Sequence, residues 1–141
     1  MDIPQLTQVE TDDYILQAKN SERHRALKIL HEPGAELNRT VNFMMSNTYL
    51  QPHKHPKEEG KEKIERYKIL GGKLAIVFFD SDGIIIESAI LDENSEIFEV
   101  HPARWHTPVV LSDYALCYEE VKGVFDPKTY KEFASWAPTE K

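Results

Sequence analysis

His53 and His55, one residue apart, are the first side chains in this sequence whose types and spacing could do chemistry. On extended backbone, residues i and i+2 point to the same face about 6–7 Å apart, so two imidazoles can converge on one ion. Imidazole suits Zn, Fe, Ni, Cu or Mn, and a carboxylate oxygen in the same set keeps the harder metals in play. Taken alone, His-x-His is also the pattern of packed or solvated histidines. Glu65 adds a second piece. Alternation along Ile64–Leu70 puts Glu65, Tyr67 and Ile69 on one face and Arg66 and Lys68 on the other. With the cations outside, the glutamate is buried and needs a cation, a donor or a metal. The reverse arrangement, with Arg66 and Lys68 snorkelling and Glu65 at the surface, satisfies the same pattern. His106, which shares a face with Pro108 and Val110, reads as a third ligand or as a hydrogen-bonded core histidine.

Other side chains are candidates to act beside such a centre. Tyr67 is a possible proton donor or substrate contact, or a core aromatic with its hydroxyl at the rim. Arg39 opens a strand whose inner face is expected to be Val41, Phe43 and Met45, and it could hold an anionic group or lie at the surface. Glu120 and Lys122 share a face with Tyr118 and reach the mouth of a barrel or form an ordinary salt bridge. His24, His31 and His101 match no ligand spacing. Cys117 alternates with buried positions and reads as core.

The elements that must position these residues are mostly short strands. Asp12–Asn20 reads as a helix capped by Thr11, with Tyr14, Ile15 and Ala18 as its apolar stripe. Strands are predicted at Ala26–Leu30, from Arg39 to Ser46, in extended chain at Thr48–His55, and at Ile64–Leu70 and Lys73–Asp80. Further strands are predicted at Ile84–Leu91, Glu96–Val100, His106–Leu111 and Tyr114–Val121. Asp82-Gly83 between apolar runs is a hairpin signal, and Gly71-Gly72 marks another turn. Pro127–Trp136 is predicted as a helix with Tyr130, Phe133 and Trp136 on its apolar side. Eight or nine short strands without intervening helices exclude alternating βαβ units and leave an all-β sandwich, jelly roll or closed barrel.

The totals agree with one domain: 141 residues, 40% apolar and 29% charged. The expected division is an N-terminal helical extension at 1–22, a barrel at 23–124 and a helical tail at 125–141. A net charge of −7 argues against nucleic acid. No apolar run approaches a membrane span, and Met1–Tyr14 has neither a basic nor an apolar signal region. One cysteine permits no internal disulfide, which fits a cytoplasmic protein.

The order of these pieces resembles the cupin superfamily. His53-x-His55, then Glu65 and, after six intervening residues, Gly72 look like the first cupin motif, and Pro102 followed by Trp105-His106 looks like the second. The run from Arg23-His24-Arg25 through Leu30-His31 is similar to WbuC-type cupin-fold metalloproteins. So are Trp105–Thr107 and the ending from Phe125-Asp126-Pro127 to Trp136-Ala137-Pro138. The resemblance implies a jelly-roll barrel, a homodimer, and His53, His55, Glu65 and His106 as ligands of one divalent transition metal (Fe, Zn, Ni or Mn). This sequence departs from the general motif in three places. The gap between His55 and Glu65 is nine residues, a long loop that could serve as a lid; Asn47 stands where the first glycine would be; and Arg104 occupies the usual glycine region before His106. Three histidines and one glutamate leave one or two positions of an octahedral ion open, as a catalytic site requires. The implied function is a metal-dependent enzyme, an isomerase or epimerase acting on a small sugar-related metabolite. A dioxygenase and a non-catalytic binding or sensor protein are the alternatives.

Overall fold

A computed structural model describes residues 1–55, 64–101, 103–123 and 131–140. Its single helix among the described residues, α1 (Gln8–Asn20), starts a turn before the predicted one. Thr7, not Thr11, is the cap: its hydroxyl accepts the Glu10 N–H at 3.1 Å. The predicted stripe is correct. Tyr14 stacks on Phe43 with ring centroids 4.7 Å apart, and Ala18 is fully buried.

The strands are β1 (Arg25–Ile29), β2 (Leu37–Met45), β3 (His53–Lys54), β4 (Glu65–Gly71), β5 (Lys73–Phe79), β6 (Ile85–Asp92), β7 (Phe98–Val100), β8 (Trp105–Val110), β9 (Tyr114–Lys122) and β10 (Glu132–Phe133). They form two antiparallel five-stranded sheets, ordered β1-β2-β9-β4-β7 and β10-β3-β8-β5-β6. The two inner faces bury Leu74, Ile76 and Phe78 of β5 against Ile69, Cys117 and Met44 of the facing sheet. Each large aliphatic or aromatic side chain buried there contributes on the order of 2 kcal/mol. The all-β sandwich expected from the sequence is therefore the fold. Among the described residues, no helix is long and apolar enough to cross a membrane.

Two turns depend on glycine. Gly72, between β4 and β5, has φ +74°, and a Cβ there would lie 2.1 Å from the Tyr114 carbonyl oxygen. Gly83, in the predicted Asp82-Gly83 hairpin, has φ +85° and packs under Trp136.

Two expectations need correction. The Val41, Phe43 and Met45 face of β2 is buried, but under α1 on the outside of its sheet. The face of β2 toward the barrel interior carries Asn38, Thr40 and Asn42. In the tail, residues 131–136 are not helical: Glu132 and Phe133 pair with Lys54 and His53, and a turn follows. The i, i+3 spacing of aromatics was real, but β3 offers an unpaired edge, and an edge strand satisfies more backbone groups there than a helix would. The remainder of that predicted helix, 127–130, and the long loop at 56–63 lie outside the described residues.

Candidate metal centre

Four side chains from three strands and one flanking residue meet inside the sandwich. Alternation turns His53 and His55 inward, while Lys54 points out, with its ammonium 4.6 Å from the Trp105 ring. His106 lies directly opposite His53 across the β3–β8 pair, and their ring centroids are 4.5 Å apart. Glu65 opens β4, whose alternating burial places Glu65, Tyr67 and Ile69 inside, as the sequence predicted. All four residues are buried, and one ligand atom from each lies within 4.8 Å of the others.

The hydrogen bonds around the cluster aim those atoms at a common centre. His53 Nδ1 donates to the Gln51 carbonyl at 3.2 Å, and His106 Nδ1 donates to the Arg104 carbonyl at 2.8 Å. Both rings therefore direct Nε2 inward, as metal-ligating histidines do when backbone carbonyls hold their other nitrogen. Glu65 Oε2 lies 2.8 Å from His55 Nε2 and 3.1 Å from His106 Nε2, while its other oxygen accepts from the Tyr67 hydroxyl. The donor set, three imidazoles and a carboxylate, fits a divalent transition ion in place of the protons that now join them.

The electrostatics are those of a dry, charged cluster. Burial, with the charge of Lys131 and neighbouring His106, pushes His53 well below the ordinary imidazole value. Burial alone would raise Glu65, but facing His55 and His106 outweigh it and hold the carboxyl well below its usual range. For His106 the opposite balance holds: burial lowers it, and the Glu65 charge and hydrogen bond more than restore it, for a net rise. Burial and the carboxylates of Glu65 and Glu119 push the Tyr67 phenol well up, so it stays protonated.

A cavity of about 500 Å³ reaches the cluster, with His53, Glu65 and Tyr67 at its inner end. Glu119 and Asn42 form part of the wall, and Lys131 and Phe133 enter from the tail. Burial, and then the Glu65 charge, raise Glu119 to about 7. Sequence reasoning missed Glu119, although a signal existed. Cys117 was read as core, and Glu119 shares its parity on β9.

Arg39 and Glu120 do not join the cluster. They pair in register on the opposite face of their sheet. There Arg39 Nε donates to the Tyr118 hydroxyl at 2.7 Å, and that hydroxyl donates to Glu120 at 2.6 Å. Of the histidines given no ligand role, His31 accepts the Arg39 N–H on Nδ1 at 2.9 Å.

Similar structures agree on the fold. CapF bound to an inhibitor, 3-isopropenyl-tropolone, superposes with a TM-score of 0.66 at 18% identity, over 80% of this chain and 32% of CapF. Oxalate oxidase in complex with glycolate gives 0.61 at 13% identity, over 82% of this chain and 57% of that enzyme. A Klebsiella pneumoniae protein with a double-stranded β-helix domain gives 0.62 at 13% identity, over 89% of this chain and 94% of its own. This chain thus spans about a third of CapF and just over half of oxalate oxidase. At these identities the likeness shows the fold, which is that of the cupins. A search of curated protein sequences found no match. A family model described as a domain of unknown function (DUF6016) matches residues 6–91.

Proposed function

For this chain, which belongs to the DUF6016 family, we propose a metal-dependent enzyme acting on a small polar, sugar-related metabolite, with His53, His55, Glu65 and His106 as the ligands of one divalent transition metal ion. One observation carries this reading: four buried ligand atoms within 4.8 Å of one another, at the inner end of a cavity large enough for a small metabolite. Such an ion, when bound, supplies Lewis acidity toward a carbonyl or hydroxyl oxygen, or redox chemistry if it is iron or manganese. The chain's own residues then have simple tasks. The two Nδ1–carbonyl hydrogen bonds hold the imidazoles in one tautomer, and Tyr67 keeps a proton beside Glu65 where it borders the cavity. Packing of Phe78 and Phe98 behind the cluster excludes water from that side.

The sugar assignment draws on the WbuC-type motifs and on the CapF likeness, since CapF is named as a capsular polysaccharide assembling protein. A second reading, an oxygen-dependent reaction on a small acid, draws on oxalate oxidase in complex with glycolate. A homodimer is part of the proposal. The outer face of the β10-β3-β8-β5-β6 sheet leaves Ile90, Val109 and Leu111 at 62%, 44% and 49% exposure, which a second copy would cover. The lone buried Cys117 supports a cytoplasmic setting.

Elemental analysis of tag-free protein tests the centre. One equivalent of metal in the parent and none in folded His53→Ala supports it, whereas unchanged metal in that variant overturns it. Aerobic and anaerobic turnover then separate the two reactions, and light scattering reads the dimer.

A further inference from the structure

The wall of the cavity beyond the ligands has its own chemistry. On β2, three inward positions, Asn38, Thr40 and Asn42, are polar and only Met44 beyond them joins the apolar core, although the same strand's outward positions Val41 and Phe43 are apolar and fully packed. Burying amides and hydroxyls on a central strand costs stability that packing does not return. Register places these residues in rows with the site. Asn38 faces Val121, which faces Glu65; Thr40 faces Glu119, which faces Tyr67. Asn42 hydrogen-bonds the Glu119 carboxylate, fixing it against the wall. Asn38 is only 4% exposed, and its amide nitrogen is committed to the Gly123 carbonyl at 2.5 Å. Its Oδ1 has no partner among the described residues.

We infer that Asn38, Thr40, Asn42 and Glu119 read the hydroxyl groups of a neutral polyhydroxylated ligand, a monosaccharide or the sugar portion of a larger metabolite, laid against Phe133. The inference rests on the proposed function and names the groups that would select its substrate. The chemistry is that of the acceptors. Asn38 Oδ1 and the Glu119 oxygens call for O–H or N–H donors, and Thr40 can both give and take a hydrogen bond. Glu119 and Glu65 repel an anionic group from this wall, the charge of Lys131, which reaches Glu119, opposes a cationic one, and the two arginines that also line the cavity, Arg23 and Arg25, are both paired with Glu140. A neutral polyol meets neither penalty. Phe133, half exposed at the mouth, with Leu27 and Ile29 on β1, gives the apolar C–H face of a sugar ring a surface to lie on.

The test uses the full chain, metal content measured in every sample, and three probes: D-glucose, D-galactose and N-acetyl-D-glucosamine. At least one should move the backbone amide signals of Thr40, Asn42 and Glu119 in a nitrogen-15 correlation spectrum. Glu119→Gln, close to isosteric, should weaken that probe about tenfold, and Asn42→Ala should act in the same direction, both with unchanged metal content. If none of the sugars moves these signals in metal-loaded protein, or if Glu119→Gln and Asn42→Ala both leave binding unchanged, the inference is overturned. Ethanolamine or glycolate moving them in place of the sugars overturns it as well. Sugar binding in protein that takes up no metal even when metal is supplied would leave the wall standing and remove the metal centre, so the two failures are distinguishable.

Discussion

The two faces of the β1-β2-β9-β4-β7 sheet each carry a tyrosine hydrogen-bonded to a glutamate two residues away, and the two networks are completed differently. On the outer face, Tyr118 donates to Glu120 and accepts from Arg39, so the network contains its own permanent cation. On the inner face, Tyr67 donates to Glu65, and the groups opposite that carboxylate are imidazoles, whose charge depends on protons or is replaced by a metal. A self-neutralised network stabilises a fold and asks for nothing more. A buried carboxylate among histidines is complete only with a proton or an ion, and the difference separates a structural tyrosine pair from a chemical one.

Several measurements can break or sharpen that contrast. The largest expected effect comes from stripping metal with a chelator. Under conditions where the ion exceeds its dissociation constant about a thousandfold, its loss should lower unfolding free energy by about 4 kcal/mol, read by calorimetry. Glu65→Gln is expected to reduce metal affinity more than about 100-fold, beyond what losing an outer hydrogen bond does, in a chelator competition titration. Glu120→Gln should leave that affinity untouched; equal losses in the two variants would erase the distinction. Tyr67→Phe should weaken metal binding about tenfold by freeing Glu65 Oε1. Tyr118→Phe should cost only about 1 kcal/mol of stability, with metal binding intact.

The remaining effect is a pH slope. In the metal-free protein Glu119 sits at about 7, above the ordinary 4.5. The folded state therefore holds the extra proton between these values. The stability Glu119 contributes is fully present below 4.5 and is lost as pH rises through 7. Denaturant titrations of the parent and Glu119→Gln should diverge across that window. Metal loading should flatten the slope, since a nearby cation favours the carboxylate.

Most of the strand positions, and the grouping of Glu65 with Tyr67 and Ile69 on one face, were legible in the sequence because period-two alternation is a local property of extended backbone. The helix start was misplaced by a turn because Thr7 and Thr11 are both competent caps by residue type, and the structure uses Thr7. The tail was misread because i, i+3 aromatic spacing says nothing about the open edge of β3 to which Phe133 pairs. Arg39 and Glu120 were each drawn toward the mouth because parity names the residues that share a strand face without saying which side of the sheet that face lies on; their pairing across β2 and β9 came only with the structure.

By itself, the sequence determined which residues share a strand face, that the chain is an all-β sandwich, and that His53, His55, Glu65 and His106 are of the types and spacings an ion requires. Only the tertiary structure decided which of two buried faces of β2 and β9 looks into the cavity. Alternation conveys parity without direction, and when α1 covers one face as thoroughly as the second sheet covers the other, hydrophobicity no longer tells inside from outside.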